Sequence, residues 1–225
     1  MPVGFRIQPR APLADGALLE RLRKLPVSNV SDNLQRHTGA RLTPIHRTGT
    51  LVGTAFTVKT RPGDNLMVHK AIDVAGPGDV LVIDAGGALD HAIIGELMAG
   101  WARKRGIAGF VIDGAIRDSN ELAQGDYPVY AAGVTHRGPY KDGPGEINVV
   151  VSIGGMVVRP GDLIAGDHDG VLAIPREDAE RVIADAEAQN RKEQAAMAAI
   201  QAGTWDRKWV DETLKARGCD MGAPK

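Results

Sequence analysis

Residues 78–118, GDVLVIDAGGALDHAIIGELMAGWARKRGIAGFVIDGAIRD, decide how the chain is read. Val80 to Ile83 is an unbroken apolar run between Gly-Asp and Asp, the pattern of a strand buried on both faces. Asp84-Ala85-Gly86-Gly87 is expected to break it. Ile93, Ile94, Leu97, Met98 and Trp101 then recur at helical spacing, with Lys104 and Arg105 suited to the negative end of a helix and Gly106 to its stop. A second apolar run, Phe110 to Ile112, leads to Arg117-Asp118. Strand, helix and strand make one βαβ unit of an α/β fold.

Ligands of open α/β folds collect beyond the carboxyl ends of the strands, where helix N-termini offer unpaired N–H groups to anions. Arg117 and Asp118 fall at that edge. A cation and a carboxylate there suit an acidic substrate held together with a hard metal ion, although the pair also reads as a surface ion pair.

Working outward, Ala14 to Leu25 carries Leu18, Leu19, Leu22 and Leu25 on one helical face, with Asp15 placed to cap it. The Pro-interrupted stretch before it reads as an arm, and residues 28–37 as a second helix. Thr50 to Thr60 is expected as a strand and Asn65 to Val74 as a short helix. Pro-Gly-Asp occurs at 62–64, 77–79 and 160–162, beside a strand-like run each time, a repeated turn solution. Thr135 to Gly145 reads as a surface loop, Val149 to Val158 as a strand, and Asp162 to Ile174 as a hairpin turning at Asp167-His168-Asp169-Gly170. Arg176 to Ala202 is a long helix with a thin apolar stripe, better suited to crossing onto a neighbouring subunit than to burial. Trp205 and Trp209 read as a packing pair. The domain expectation is an arm and helix over 1–27, an α/β core over 28–175, and a helix and tail over 176–225.

The 225 residues carry 27 Lys and Arg against 28 Asp and Glu, a formal charge of −1 with no basic block, and only 4% aromatics, so nucleic acid is not an expected partner. Cys219 is the only cysteine, which excludes an intramolecular disulfide and any Cys-Cys metal motif. No stretch approaches the roughly 18 apolar residues of a membrane span, and the start lacks an apolar signal core, so a cytoplasmic protein is expected. Asp84 to Gly87 lacks both the dinucleotide and the Walker spacing, which excludes the usual nucleotide loops. His69, His91, His136 and His168 are too scattered for a zinc motif. His69 alone stays a candidate, because its helix leads into the Gly78 strand.

Three segments, GDNLMVHKAIDVAGPGDVLVIDAGG (63–87), GELMAGWARKRGIAGFVIDGAIRD (95–118) and GDHDGVLAIP (166–175), together resemble the RraA-like family. That family includes 4-hydroxy-4-methyl-2-oxoglutarate/4-carboxy-4-hydroxy-2-oxoadipate aldolases and the regulator of ribonuclease E activity A. Its aldolases carry an acidic residue, twenty intervening residues and Arg-Asp; the match here is Glu96 and Arg117-Asp118, with Glu in place of the defining Asp.

The resemblance implies a compact αββα sandwich related to swivelling phosphohistidine domains, assembled as a homotrimer or homohexamer with the long C-terminal helix packed on a neighbouring subunit. It implies a class II pyruvate aldolase using Mg2+ or Mn2+, with oxaloacetate decarboxylation through the same enolate. It assigns Asp118 to the metal, and Arg117 to the oxygen that becomes the enolate. It places the pyruvyl carboxylate at the helix entry formed by Gly95, Glu96, Leu97 and Met98, with His69 beside it. Glu96 and, from a neighbour, Glu193 supply the acidic groups. The ribonuclease-regulator branch, acting by protein contact, is the alternative. A menaquinone-pathway methyltransferase has no glycine-rich cofactor loop to support it.

Overall fold

The computed structural model describes residues 3–222, so the first two residues of the arm and the last three of the tail lie outside the described residues. The chain divides into two compact units, one ending at Glu187 and one running from Ala188. The first unit is a mixed α/β fold around a central sheet. Its elements run β1 (Phe5–Ile7), α1 (Gly16–Leu22), α2 (Val27–Asn33), β2 (Thr43–Pro44), β3 (Leu51–Thr60), α3 (Leu66–Val74), β4 (Asp79–Ala92), α4 (Glu96–Lys104), β5 (Gly109–Ile116), α5 (Ser119–Ala123), β6 (Val129–Val134), β7 (Gly145–Ile147), β8 (Val151–Ile153), β9 (Met156–Val158), β10 (Leu163–Asp167) and β11 (Gly170–Ile174). A long helix, α6 (Ala179–Gln201), follows, and α7 (Lys208–Ala216) lies in the second unit.

The sheet order is β1-β7-β3-β4-β5-β6-β2, with β10 also paired to β3 and β11 to β10. Its centre, β3 to β6, is parallel, as helical crossovers require. Alternation along the strands divides the core between two faces. Val80, Val82 and Val111 point into one apolar cluster, with α1, α2, the β10–β11 hairpin and the first turns of α6. Leu81, Ile83, Phe110 and Ile112 point into the other, under α3 and α4. Burial on both faces explains the unbroken apolar runs.

Several elements differ from expectation. The break at Asp84 to Gly87 is not one: β4 continues to Ala92, and two register shifts let it keep pairing with β5 at Ala88 and Ala92 while Gly86 and Gly87 take left-handed conformations. The helix after it starts at Glu96, because the Ile93 N–H still bonds the Ala115 carbonyl and the Ile94 carbonyl still accepts from Arg117 N–H. Ile93 and Ile94 are therefore buried in the turn, and α4 packs through Ala99 and Ala102 while Leu97 and Trp101 face outward. Residues 149–158 form a tight hairpin, β8–β9, in place of one strand. The first turns of α6 bury Val182, Ile183 and Ala186 in the chain's own core, so that part of the helix needs no neighbour. In the second unit Trp209 lies on α7 and Trp205 ahead of it; both are exposed, with the Arg207 guanidinium 4.7 Å over the Trp205 ring.

The three Pro-Gly-Asp turns share one solution. Their glycines, at φ +75°, +83° and +92°, occupy the left-handed region that a side chain resists. Each following aspartate, Asp64, Asp79 and Asp162, is buried and accepts backbone N–H groups. These carboxylates tie the turns shut from inside.

Candidate active site

Two chain reversals meet at the carboxyl edge of β4 and β5. After β4 the backbone turns through Ile93 to Gly95 into α4; after β5 it passes directly into Arg117 and Asp118. The Arg117 N–H bonds the Ile94 carbonyl at 3.0 Å, fixing the two turns side by side. Asp118 sits at φ 55°, ψ 38°, a left-handed conformation that Asp tolerates better than most residues. Although it occupies the N-cap position of α5, its side chain does not cap that helix. Its Oδ2 instead accepts from the Glu96 N–H at 3.0 Å.

Gly95 makes this approach possible. A Cβ there would overlap Asp118 Oδ2 and lie 3.1 Å from both Cγ and Nε of Arg117. The constraint is one of space, since Gly95 has ordinary extended backbone at φ −143°. With Glu96 N–H engaged, the next two amides of α4, Leu97 and Met98, have no partner among the described residues. Free N–H groups in a first helical turn attract a carboxylate.

The cleft in front of these amides has a volume of about 240 Å3 and is lined by Ile94, Gly95, Leu97, Met98, Arg117, Asp118, His69 and Asn65 among others. It is smaller than the few hundred Å3 and upward typical of drug-sized ligands, and fits a small acid. The Arg117 Nε stands 3.8 Å from Asp118 Oδ2, a loose and solvent-exposed pairing that leaves both groups available. His69 lines the cleft, its pKa pushed below the usual value by burial and secondarily by the Lys141 charge. It is therefore a neutral imidazole at pH 7.

Glu96 is exposed at the head of α4, its backbone in the site. Glu193 belongs to the second unit, where it accepts from Gln189 Nε2 at 2.9 Å on the exposed side of α6. The structure thus brings Arg117, Asp118, Gly95, Glu96, Leu97, Met98 and His69 together.

Three residues had no distinguishing signal in the sequence. Asn65 is buried at the cleft, its Nδ2 donating to the Ile93 carbonyl at 2.9 Å and lying 3.3 Å from Met98 Sδ. Asp64 is fully buried and collects N–H groups from Leu66, Asp142 and Gly143. Burial alone would push its carboxyl up, but those donors and Arg61 outweigh it and hold the pKa below the usual carboxylate range. Lys141 reaches the cleft on the loop that Asp64 anchors. The Pro-Gly-Asp turn was the one visible trace of this arrangement; a lysine within a Gly/Pro-rich loop gave none.

No group of three or more His, Cys, Asp or Glu among the described residues forms a cage for a metal ion. One carboxylate with a free Oδ1 beside an open cleft does suit a hard ion such as Mg2+, which keeps several waters and takes few protein ligands.

A family model described as Aldolase/RraA matches residues 27–173. A protein of Halalkalibacterium halodurans named "Putative 4-hydroxy-4-methyl-2-oxoglutarate aldolase" is 42% identical over 184 residues, covering 81% of this chain and 88% of its own length. Among solved structures, an uncharacterised protein from Pseudomonas syringae superposes with a TM-score of 0.77 at 28% identity, covering 86% of this chain and 96% of its own. Streptomyces coelicolor RraAS2, described as an unusual member of the RNase ES inhibitor RraA protein family, gives a TM-score of 0.76 at 25% identity over 83% of this chain and 98% of its own. With the family model spanning more than half of the residues and a relative this similar along most of both lengths, the chain belongs to the RraA-like family.

Proposed function

We propose that the protein is a divalent-metal-dependent pyruvate aldolase, cleaving a 4-hydroxy-2-oxo acid of the 4-hydroxy-4-methyl-2-oxoglutarate or 4-carboxy-4-hydroxy-2-oxoadipate type to pyruvate and a second 2-oxo acid. The observation that carries this reading is the convergence of Arg117, Asp118 and the unpartnered Leu97 and Met98 amides on one small cleft. The name of the Halalkalibacterium relative points the same way.

In this reading the Leu97 and Met98 N–H groups hold the C1 carboxylate at the head of α4. The Arg117 guanidinium lies against the C2 keto oxygen, where negative charge collects as the C3–C4 bond breaks; a fixed donor at such a point counts for more in the transition state than in the ground state. The 4-hydroxyl proton leaves to a base, C4 becomes a carbonyl, and the bonding pair moves into the C2–C3 enolate, which takes a proton at C3 to give pyruvate. Asp118 Oδ1 would hold a Mg2+ or Mn2+ ion, which supplies Lewis-acid stabilisation of the keto oxygen when bound. Glu96, and Glu193 of a neighbouring copy, are the carboxylates assigned to hold and pass the proton. Oxaloacetate presents the same 2-oxo acid end, so its decarboxylation through the same enolate is a second expected activity.

A homotrimer or homohexamer is part of the proposal, with α6 carrying Glu193 across to a neighbour. Phe5, Ile7 and Leu66 border one exposed hollow, and Leu97 and Trp101 border another, more apolar surface than isolated chains usually leave open. The RraAS2 likeness keeps one other reading in view, a regulator that binds a ribonuclease without chemistry. Pyruvate release from a panel of 4-hydroxy-2-oxo acids, with Mg2+ and after chelation, decides between them. Metal-independent release would refute the mechanism, and tight ribonuclease E capture with no release from any acid would establish the regulator.

A further inference from the structure

The loop formed by residues 137–143 closes one side of the cleft and is fastened at both ends. Its Arg137 carbonyl accepts from Ala92 N–H at 2.9 Å. Further along, Tyr140 N–H bonds the Gly63 carbonyl at 2.9 Å, and its carbonyl accepts from Asn65 N–H at 3.0 Å. The buried Asp64 carboxylate then takes the Asp142 and Gly143 N–H groups at 2.8 and 2.9 Å. A surface loop this thoroughly bonded is a preformed wall.

Gly138 lies against Arg117, since a Cβ there would stand 3.5 Å from Nη1. Three residues later Lys141 lines the same cleft, and it makes no ion pair among the described residues. Arg117 and Lys141 are the two cationic side chains lining that cleft. The backbone from Gly138 to Lys141 spans at most about 10 Å, the scale on which one five- or six-carbon acid separates its terminal carboxylates. The second cation also has an electrostatic signature inside the cleft, because after burial the Lys141 charge is what lowers the His69 pKa most.

We propose that Lys141, held by the Asp64-anchored loop, is the subsite for the distal carboxylate of the substrate, and that it selects 2-oxo dicarboxylic acids over 2-oxo monocarboxylic acids. This rests on the aldolase reading: the 2-oxo acid end occupies the Leu97 and Met98 amides and Arg117, so the far end of the chain extends toward the remaining cation. A substrate lacking a second carboxylate would leave the Lys141 ammonium unpaired. Discrimination arises because a charged partner is present or missing, which separates ligands better than size does.

The test is a comparison of affinities that needs no turnover. Calorimetric titration of the full-length, Mg2+-supplemented protein with 2-oxoglutarate and with 2-oxobutyrate gives a ratio of dissociation constants for the wild type, Lys141→Ala and Lys141→Arg. The expected result is a preference for 2-oxoglutarate that falls about tenfold in Lys141→Ala, one charge-assisted contact's worth, and is largely restored in Lys141→Arg. An unchanged ratio in Lys141→Ala, or no binding of either acid, overturns the proposal. A separate pyruvate-release assay distinguishes the two readings. Lys141-dependent preference without pyruvate from any 4-hydroxy-2-oxo acid keeps the subsite and discards the aldolase; pyruvate release with an unchanged ratio does the reverse.

Discussion

The Asp118 carboxylate and the Glu96 backbone are joined by a 3.0 Å hydrogen bond that crosses from the end of β5 to the head of α4. It uses Oδ2 and the first free amide of the helix. Oδ1 is left for a ligand, and Leu97 and Met98 N–H are left for an anion. One bond thus sorts the site's donors and acceptors into structural and available sets.

Asp118→Asn should separate these two duties. The amide oxygen still accepts from Glu96 N–H, so the melting temperature stays near wild type, while the charge offered to a cation is gone. The expected loss in kcat/KM is about 100-fold or more, the several kcal/mol a Lewis acid supplies. Full activity in this variant would remove Asp118 from the metal site.

Replacing Arg117 by Ala tests the enolate contact. Pyruvate-release kinetics should show kcat falling by about 100- to 1,000-fold, as for loss of one oxyanion donor, with a smaller change in KM. A change confined to KM would mean that Arg117 binds ground state and transition state alike.

Gly95→Ala is a steric test. The new Cβ meets Asp118 Oδ2 and crowds Arg117, whereas its extended backbone creates no strain of its own. Activity should fall about 10- to 100-fold, in line with a misplacement of about 1 Å, and thermal unfolding should shift little. A large stability loss with normal turnover would contradict this account.

Asp64 should matter through stability and pH. Asp64→Ala strands three buried N–H groups, at a cost of about 3 kcal/mol measured by denaturant unfolding. Because its folded-state pKa is lowered, the contribution of Asp64 is complete above the unfolded carboxylate value of about 4 and disappears as pH falls through the folded value. The variant and wild type should therefore converge in acid. Asp79 behaves oppositely: burial raises its pKa despite its ion pair with Arg10, so its contribution is present at low pH and is lost as pH rises through the folded value. Asp79→Asn should accordingly be milder than Asp64→Asn at pH 7.

Lys141→Ala should raise the pKa of His69, which NMR titration of the imidazole would record. Burial, the larger cause, remains, so the value stays below the ordinary one. An unmoved titration curve would place the Lys141 ammonium away from the cleft.

The parallel centre of the sheet was legible in residues 78–118 because strands buried on both faces must be apolar at every position, and that pattern is local. The cap at Asp15 was legible too, and its carboxylate does accept from Ala17 N–H. The Pro-Gly-Asp turns were visible as punctuation, since turn chemistry is written in neighbouring residues. The start of α4 was misjudged because Ile93 and Ile94 satisfy helical spacing as well as strand-end burial, and spacing alone does not distinguish the two.

The sequence by itself determined the α/β class, the edge at which chemistry belongs, and Arg117-Asp118 as the residues standing there. Tertiary structure decided which way the Asp118 carboxylate points, that Gly95 is small because of it, and that Leu97 and Trp101 face outward. It also decided that Asp64 carries Lys141 to the same cleft, 77 positions along the chain. Those outcomes depend on hydrogen bonds between residues distant in sequence, which no periodicity of 2.0 or 3.6 encodes.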